Sequence, residues 1–103
     1  MPIVAEAELV AAITRDRAAG KRIAFLSLAF DLLTITEVRA VKTAASAADR
    51  LVVAVIDDAG AHVVKADDRA ELVDSLRGAG YVILCAPDRV DALATLVMPD
   101  VRP

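Results

Sequence analysis

The segment RIAFLSLAFDLLTITE, residues 22–37, decides the fold class of this 103-residue chain. Its first part, Ile23 to Leu28, is apolar without regular polar alternation, which is typical of a strand covered on both faces of a sheet. Its last part begins a run with helical character at residue 35. A buried strand that passes through a short turn into a helix predicts β-α-β units and a parallel sheet.

The strand-then-helix order continues to the end of the sequence. Two more strands are predicted, at 51–56, which is rich in β-branched residues, and at 81–85. Apolar residues at helical spacing predict four helices, at 5–19, 35–48, 69–78 and 88–97. The expected fold is α/β and Rossmann-like. It is a single domain of residues 1–103 in which three layers, α/β/α, are built around a short parallel sheet of three strands.

Right-handed crossovers determine how these elements are layered. Two crossovers in the same direction place strand one at one edge of the sheet and strand three at the other. Both intervening helices then lie on one face, and the first and last helices cover the opposite face. In the third helix Asp67 or Asp68 is the predicted N-cap, and Leu72, Val73 and Leu76 are predicted to face the core.

The composition argues against nucleic-acid binding, secretion and membrane insertion. The net charge is −3 with both signs interspersed, so the chain offers no basic stripe to a phosphate backbone. No apolar run approaches the roughly 18 residues of a membrane span, and the first residues lack the basic segment of a secretory signal. A cytoplasmic protein without nucleic-acid or membrane partners is therefore expected.

Several segments match, in order and spacing, the motifs of one enzyme family. Residues 30–33 fit the first half of the pattern F-D-x-L-H-x-G-H, and residues 48–55 are similar to the strand pattern G-D-x-L-x-V-x-V. Three shorter matches are G-K-R-I at residues 20–23, D-R-A-E-L at residues 68–72 and P-D-V at residues 99–101. Together they resemble the cytidylyltransferase-like nucleotidyltransferase superfamily, especially the heptose-phosphate and glycerol-3-phosphate nucleotidyltransferases.

This resemblance implies a reaction, but the residues that would perform it are replaced. Members of the family transfer a nucleotidyl group from CTP or ATP to a phosphorylated alcohol or sugar, with the triphosphate held at a helix N-terminus. At the family's histidine, glycine and histidine positions this chain has Thr34, Thr36 and Glu37. Leu28 stands in place of a turn glycine, and Ala45 in place of a helix lysine. Because the Glu37 carboxylate repels phosphate, the transfer chemistry is predicted to be lost.

The replaced residues have a structural interpretation of their own. Residues 34–37 follow the pattern S/T-x-x-E of a capping box. The Thr34 hydroxyl is expected to accept a hydrogen bond from the Glu37 N–H, while the Glu37 carboxylate reaches back to the Thr34 N–H. The alternative is a direct contact between these residues and a new ligand.

Seven residues are candidates for ligand binding, and one of them, Asp31, lies at the carboxyl end of strand one, where open α/β sheets bind their ligands. They are Ser27, Asp31, Thr34, Thr36, Glu37, Asp58 and Arg69. For three of them a structural role is the alternative to a ligand contact. Asp31 would be a hydrogen-bond acceptor at the helix entry, Asp58 would lie in a solvated turn, and Arg69 would form a salt bridge.

No catalytic residue, metal site or cofactor is predicted. His62 has no cysteine or histidine companion at the spacing of metal ligands, so a surface position is expected. Cys85, the only cysteine, is expected to be a small buried hydrophobic residue rather than a reactive thiol.

The edge of strand one predicts a protein contact. The sequence ends at Pro103, where the family's fourth strand would begin, and residues 23–28 carry no charge that would protect an open edge. A second copy would cover this edge in a homodimer with antiparallel pairing, and another protein would cover it by strand addition. The third alternative is that residues 98–103 fold over the edge.

These observations lead to three functional hypotheses. The first is a non-catalytic cytidylyltransferase-like domain, a pseudoenzyme, that acts as an interaction or assembly module. The alternative is a regulator that binds a nucleotide or a phosphorylated ligand in a remodelled pocket. An active nucleotidyltransferase is the least expected, because the groups that would hold the triphosphate are replaced.

Overall fold

Three parallel strands, β1 (Ile23–Leu28), β2 (Arg50–Ile56) and β3 (Tyr81–Cys85), form the sheet in that spatial order. The computed structural model describes residues 3–29, 34–57, 65–74, 76 and 80–102. Within these ranges the helices are α1 (Glu6–Ala18), α2 (Ile35–Ser46), α3 (Ala66–Asp74) and α4 (Val90–Val97), with a 3-10 turn at Pro87–Arg89. The predicted α/β class and the three parallel strands are confirmed.

The strands direct their side chains alternately into two hydrophobic clusters, one on each face of the sheet. On the first face, Leu9 and Ile13 of α1 and Leu93 of α4 pack with Phe25 and Val52 of the strands. The opposite face lies under α2 and α3, and its buried residues are Ala24, Leu26, Val41, Ala44, Leu51, Val53, Val55, Ala70, Val73 and Val82. The layering predicted from right-handed crossovers is confirmed. Burial on both faces also explains why β1 and β2 lack polar alternation.

The C-terminal segment occupies the start of the β1 edge. The Phe25 N–H donates to the Val101 carbonyl at 2.9 Å, in a parallel bridge between Val101 and Ala24. The Asp100 carboxylate accepts a hydrogen bond from the Ile23 N–H at 2.8 Å. The segment thus pairs with β1 as the third alternative for this edge describes, and it covers the first residues of the strand.

The N-terminal segment makes a similar contact at the other edge of the sheet. Ile3 and Val82 form an isolated parallel bridge, and the Val4 N–H donates to the Val82 carbonyl at 2.9 Å. Each outer strand therefore pairs with a terminal segment of the same chain, which satisfies part of the backbone that an open edge exposes.

The start of α3 differs from its prediction. The helix begins at Ala66, so Asp67 and Asp68 lie in its first turn and neither is its N-cap. Two carboxylates in the first turn favour the positive end of the helix dipole, which explains an earlier start. α3 ends at Asp74, and residues 75 and 77–79 of the predicted helix lie outside the described residues. No helix in the described ranges has the length and hydropathy that crossing a bilayer requires.

The inner face of α3 also differs from its prediction. The expected inward position of Leu72 is wrong, since 44% of its surface is exposed. Val73 is buried and Leu76 is half-buried against the core, as predicted, and Arg69 and Ala70 are buried where Leu72 was expected. The spacing of one, three and four residues defines a single helical face. The long side chain of Arg69 therefore takes a core position that the sequence pattern assigned to leucine.

Among the described residues, positive φ occurs shortly after α1 and at the C-cap of α4, and only the first of these residues is glycine. Gly20 follows α1 with φ of 80°, and Met98 ends α4 with φ of 49°. The left-handed region suits glycine because other L-residues bring Cβ too close to the following carbonyl oxygen.

We expect Gly20→Ala and Met98→Gly to change the free energy of unfolding in opposite directions. A Cβ at Gly20 meets nothing within 4 Å. Gly20→Ala should therefore lower the free energy of unfolding by about 1 kcal/mol through the backbone conformation alone. Met98→Gly relieves the same conformational cost and should gain roughly 0.5 kcal/mol, after subtracting the entropy of a glycine in the unfolded chain. Urea unfolding at a single low protein concentration measures both changes, and two changes of equal sign would contradict this account.

Candidate functional site

The carboxyl ends of the three strands and the N-terminus of α2 lie on the same side of the sheet, where the candidate ligand residues were predicted. Ser27 is half-buried near the end of β1, and Leu28 packs against the cluster under α2 and α3. Beyond the strands the Asp57 N–H donates to the Cys85 carbonyl at 2.7 Å, which extends the pairing of β2 with β3. This side of the structure is therefore held by backbone hydrogen bonds that continue the sheet.

Two of the seven candidates, Asp31 and Asp58, lie outside the described residues, as does His62. Their predicted positions and roles stay predictions. Of the remaining five candidates, the structure brings Thr34 and Glu37 into contact.

Thr34 and Glu37 form hydrogen bonds with each other at the N-terminus of α2. The Thr34 N–H donates to Glu37 Oε2 at 3.0 Å, and the Thr34 hydroxyl donates to the same oxygen. Thr34 is the N-cap residue of α2, and the Glu37 carboxylate satisfies its backbone N–H, as in one half of a capping box. Thr36 is exposed in the same turn. The half of the predicted capping box that Glu37 supplies is confirmed, and the hydrogen bond predicted from the Glu37 N–H to the Thr34 hydroxyl stays a prediction.

These hydrogen bonds hold the Glu37 carboxyl in its charged form. The bond from the Thr34 hydroxyl is the largest cause that lowers the pKa of Glu37, and backbone hydrogen bonds lower it further. A charged carboxylate at this position also matches the positive end of the α2 dipole. The N-terminus of α2 thus carries a negative charge at neutral pH.

Arg69 is buried in the core, with 1% of its surface exposed. Its Nη1 donates to the carbonyl of Ala29, just after β1, and to the carbonyl of Ile56 at the end of β2, the latter at 3.2 Å. The guanidinium therefore joins the carboxyl ends of two neighbouring strands to α3. These contacts are the structural role of Arg69, and its predicted ligand contact stays a prediction.

The sequence contained a signal for this burial. Arg69 precedes Val73 by four residues, so both side chains lie on one face of a helix. A sequence pattern seldom predicts a charged residue on the inner face of a helix, because a buried charge requires hydrogen-bond partners that only the folded chain supplies.

Cys85 has the character that its sequence context predicts. It is buried at the end of β3, and its thiol donates to the Ala86 carbonyl at 3.4 Å. Loss of solvent contact raises the pKa of the Cys85 thiol, so the reactive thiolate is disfavoured. Among the described residues no group of three or more potential ligand side chains is placed to hold a metal ion.

A second polar cluster, which the sequence did not indicate, lies at the amino ends of the strands. The Tyr81 hydroxyl donates to Asp16 Oδ2 at 2.6 Å, and Arg50 Nε lies 3.6 Å from Asp16 Oδ1. Burial raises the pKa of Tyr81, and the bond to Asp16 raises it further. The cluster links α1 to two strands across 65 residues of sequence and has a structural role.

We expect Thr34→Val to raise the pKa of Glu37, because it removes the hydroxyl donor. In the parent protein the lowered pKa means that this carboxylate stabilises the fold fully above its unfolded-state pKa. That stabilisation is lost as the pH falls through the folded-state pKa. NMR titration of the Glu37 carboxyl measures the shift, and thermal unfolding between acidic and neutral pH measures its effect on stability. Thr36→Val, one turn position away and exposed, is the matched control and should leave the pKa of Glu37 unchanged.

We expect Arg69→Met to lower the free energy of unfolding by about 2–4 kcal/mol, because it leaves buried carbonyls without their donor. Arg39→Met, at an exposed position of α2, should change it by less than about 0.5 kcal/mol. Chemical unfolding of both variants makes the comparison. Equal effects of the two substitutions would show that the buried guanidinium contributes nothing specific.

The sequence is similar to proteins of known name over most of its length. The bifunctional protein HldE of a Nitratiruptor species is 34% identical over 104 residues, which cover 93% of this chain and 22% of the HldE sequence. The bifunctional protein HldE of Alkalilimnicola ehrlichii is 32% identical over 107 residues, covering 96% of this chain and 22% of that protein. This chain therefore spans about a fifth of the length of the curated relatives it matches. No family model matches the sequence.

The fold has a counterpart among solved structures. The lipopolysaccharide core biosynthesis protein from Thermoplasma volcanium superposes with a TM-score of 0.74, covering 81% of this chain and 73% of that chain at 21% sequence identity. At that identity the likeness shows the fold alone. Taken with the HldE matches and with the order of the sequence motifs, it shows that the chain belongs to the cytidylyltransferase-like nucleotidyltransferase superfamily.

Proposed function

We propose that this domain is a non-catalytic member of its superfamily, a pseudoenzyme, and that it acts in the cytoplasm as an interaction or assembly module. The observation that carries the proposal is the closed N-terminus of α2. There the Glu37 carboxylate accepts a hydrogen bond from the Thr34 N–H at 3.0 Å. The chain's own charge thus occupies the position at which a phosphate group would bind.

A phosphate group binds a helix N-terminus through free backbone N–H groups and the positive end of the dipole. In α2 a carboxylate already supplies the negative charge that these groups attract. An incoming phosphate would have to displace Glu37 from Thr34 and would then meet a like charge at close range. Both steps oppose the binding of a triphosphate.

The buried guanidinium of Arg69 supports the same conclusion. Arginine is a common ligand of phosphate because its planar fork donates two parallel hydrogen bonds. Here Nη1 donates to the carbonyls of Ala29 and Ile56, and the side chain is buried beneath the strand ends. A phosphate contact would require this side chain to leave the core.

The proposed partner is a protein, and neither nucleic acid nor a membrane is proposed. A second copy of the chain in a homodimer, or another protein, would make the contact. For a partner at the edge of β1, the proposal applies to the strand beyond Phe25, because Val101 and Asp100 already pair with its first residues.

The proposal predicts that the protein does not bind nucleoside triphosphates. Isothermal titration with CTP and with ATP, each with Mg²⁺, should give no heat of binding, and neither nucleotide should raise the melting temperature. Micromolar binding without turnover would favour the alternative, a regulator with a remodelled pocket. Release of pyrophosphate in the presence of a sugar phosphate or glycerol phosphate would overturn the proposal.

A reconstructed site provides the matched comparison. The triple variant Thr34→His, Thr36→Gly, Glu37→His restores the family pattern at the start of α2 and removes the opposing carboxylate. It should bind nucleotide at least tenfold more tightly than Glu37→Gln, which removes the charge without adding donors. If the parent protein binds as tightly as the triple variant, the carboxylate is not the cause of lost binding.

A further inference from the structure

The side of the protein formed by α1 and α4 carries an apolar groove, named here the α1–α4 face. The groove has a volume of about 360 Å³ and is lined by Val10, Thr14 and Arg17 of α1 and by Leu96, Val97 and Met98 of α4. Large apolar side chains stay open to solvent beside it, with exposed fractions of 36% for Val10, 46% for Leu96 and 64% for Met98. An exposed cluster of this kind indicates a contact surface.

The groove has a fixed shape because Arg17 holds its two helices together. Arg17 Nη2 donates to the carbonyl of Val97 at 2.6 Å and to the carbonyl of Met98 at 2.9 Å. These bonds satisfy the last carbonyls of α4 and place a cation at its negative end. The surface is therefore formed in the free protein and needs no rearrangement before a partner binds.

The outward side of α1 continues the same surface without a charge. Ala7, Ala11, Thr14 and Ala18 are all exposed, on the side of the helix opposite the core residues Leu9 and Ile13. A helix at a protein surface usually places charged residues there. The four residues are spaced by four, three and four positions, which is the seam spacing of two packed helices.

We propose that the α1–α4 face binds a second copy of this chain, with the two α1 helices packed antiparallel about a two-fold axis. In this arrangement Ala11 of one copy lies opposite Thr14 of the other, and Ala7 lies opposite Ala18. The exposed side chains of Val10, Leu96 and Met98 flank this seam and are covered by the same contact.

Charge complementarity selects the second copy and the antiparallel direction. Glu8 and Arg15 lie seven residues apart on one flank of the seam, and both are exposed. In an antiparallel pair of identical helices the same flanks meet, so Glu8 of each copy faces Arg15 of the other. The two-fold axis repeats this ion pair twice. A parallel pair would place that flank against Val10 and Arg17 of the other copy, so Glu8 of one copy would not meet Arg15 of the other.

This inference rests on the proposed function, because it names the partner of the assembly module. The two fail in distinguishable ways. Nucleotide binding or turnover would contradict the proposed function without involving α1. A monomeric protein that binds no nucleotide would contradict only the inference about the α1–α4 face.

Sedimentation of the full chain over a range of micromolar concentrations tests the contact. The parent protein should dimerise, and Ala11→Arg, which places a long cation in the seam, should raise the dissociation constant at least tenfold. Thr43→Arg, at an exposed position of α2, is the matched control and should leave the dissociation constant unchanged. Circular dichroism of each variant monitors the fold. A parent protein that stays monomeric, or a dimer that Ala11→Arg leaves intact, would overturn the proposal.

A charge exchange tests the direction of the helices. Glu8→Arg and Arg15→Glu should each weaken the dimer by roughly tenfold, because each turns two attractive pairs into repulsive ones. The double variant should recover most of the parental affinity. Glu8→Arg also removes a 3.3 Å hydrogen bond from the Ala5 N–H, so its helix content is compared with that of Glu8→Gln. Additive losses in the double variant would rule out the antiparallel pairing.

Discussion

The hydrogen bonds from Arg69 to the carbonyls of Ala29 and Ile56 are the contact on which the carboxyl ends of β1 and β2 depend. A buried guanidinium is tolerated only where hydrogen bonds compensate its lost hydration. Two strand ends supply those acceptors, and in return α3 is held against β1 and β2 at the level where the sheet ends. Arg69 thus stabilises the carboxyl ends of these two strands.

The N-terminus of α2 follows the same principle with the opposite charge. Its positive dipole end is matched by Glu37, whose carboxylate is held by the backbone and the hydroxyl of Thr34. Arg69 and Glu37, which carry opposite charges, therefore both have hydrogen-bond partners within the chain. Because a fold does not determine a site, the chain can carry superfamily motifs although Thr34, Thr36 and Glu37 stand at the family's histidine, glycine and histidine positions.

Local signals in the sequence predicted the strands and the Glu37 half of the capping box well, because each depends on neighbouring residues. Burial of β1 and β2 follows from continuous apolar runs, and the closure of α2 follows from four consecutive residues. The sequence did not reveal contacts between distant segments, such as the Tyr81 hydroxyl bond to Asp16 or the bridge from Val101 to Ala24. The hydrophobicity of Leu72 predicts an inward position, but Arg69 is buried on that side of α3. The hydrogen-bond partners that allow Arg69 to be buried exist only in the folded chain.

The edges of the sheet and the α1–α4 face differ in how well they suit a partner. At β1 the N–H groups of Ile23 and Phe25 are already bonded to Asp100 and Val101, so a second copy would have to pair with the remaining half of a six-residue strand. Pairing that short is marginal without further packing. The α1–α4 face offers apolar side chains on a rigid surface whose backbone is already satisfied by helical hydrogen bonds. Association through the α1–α4 face would displace no backbone hydrogen bond of the sheet. For that reason we expect this domain to assemble through its helices rather than through its strands.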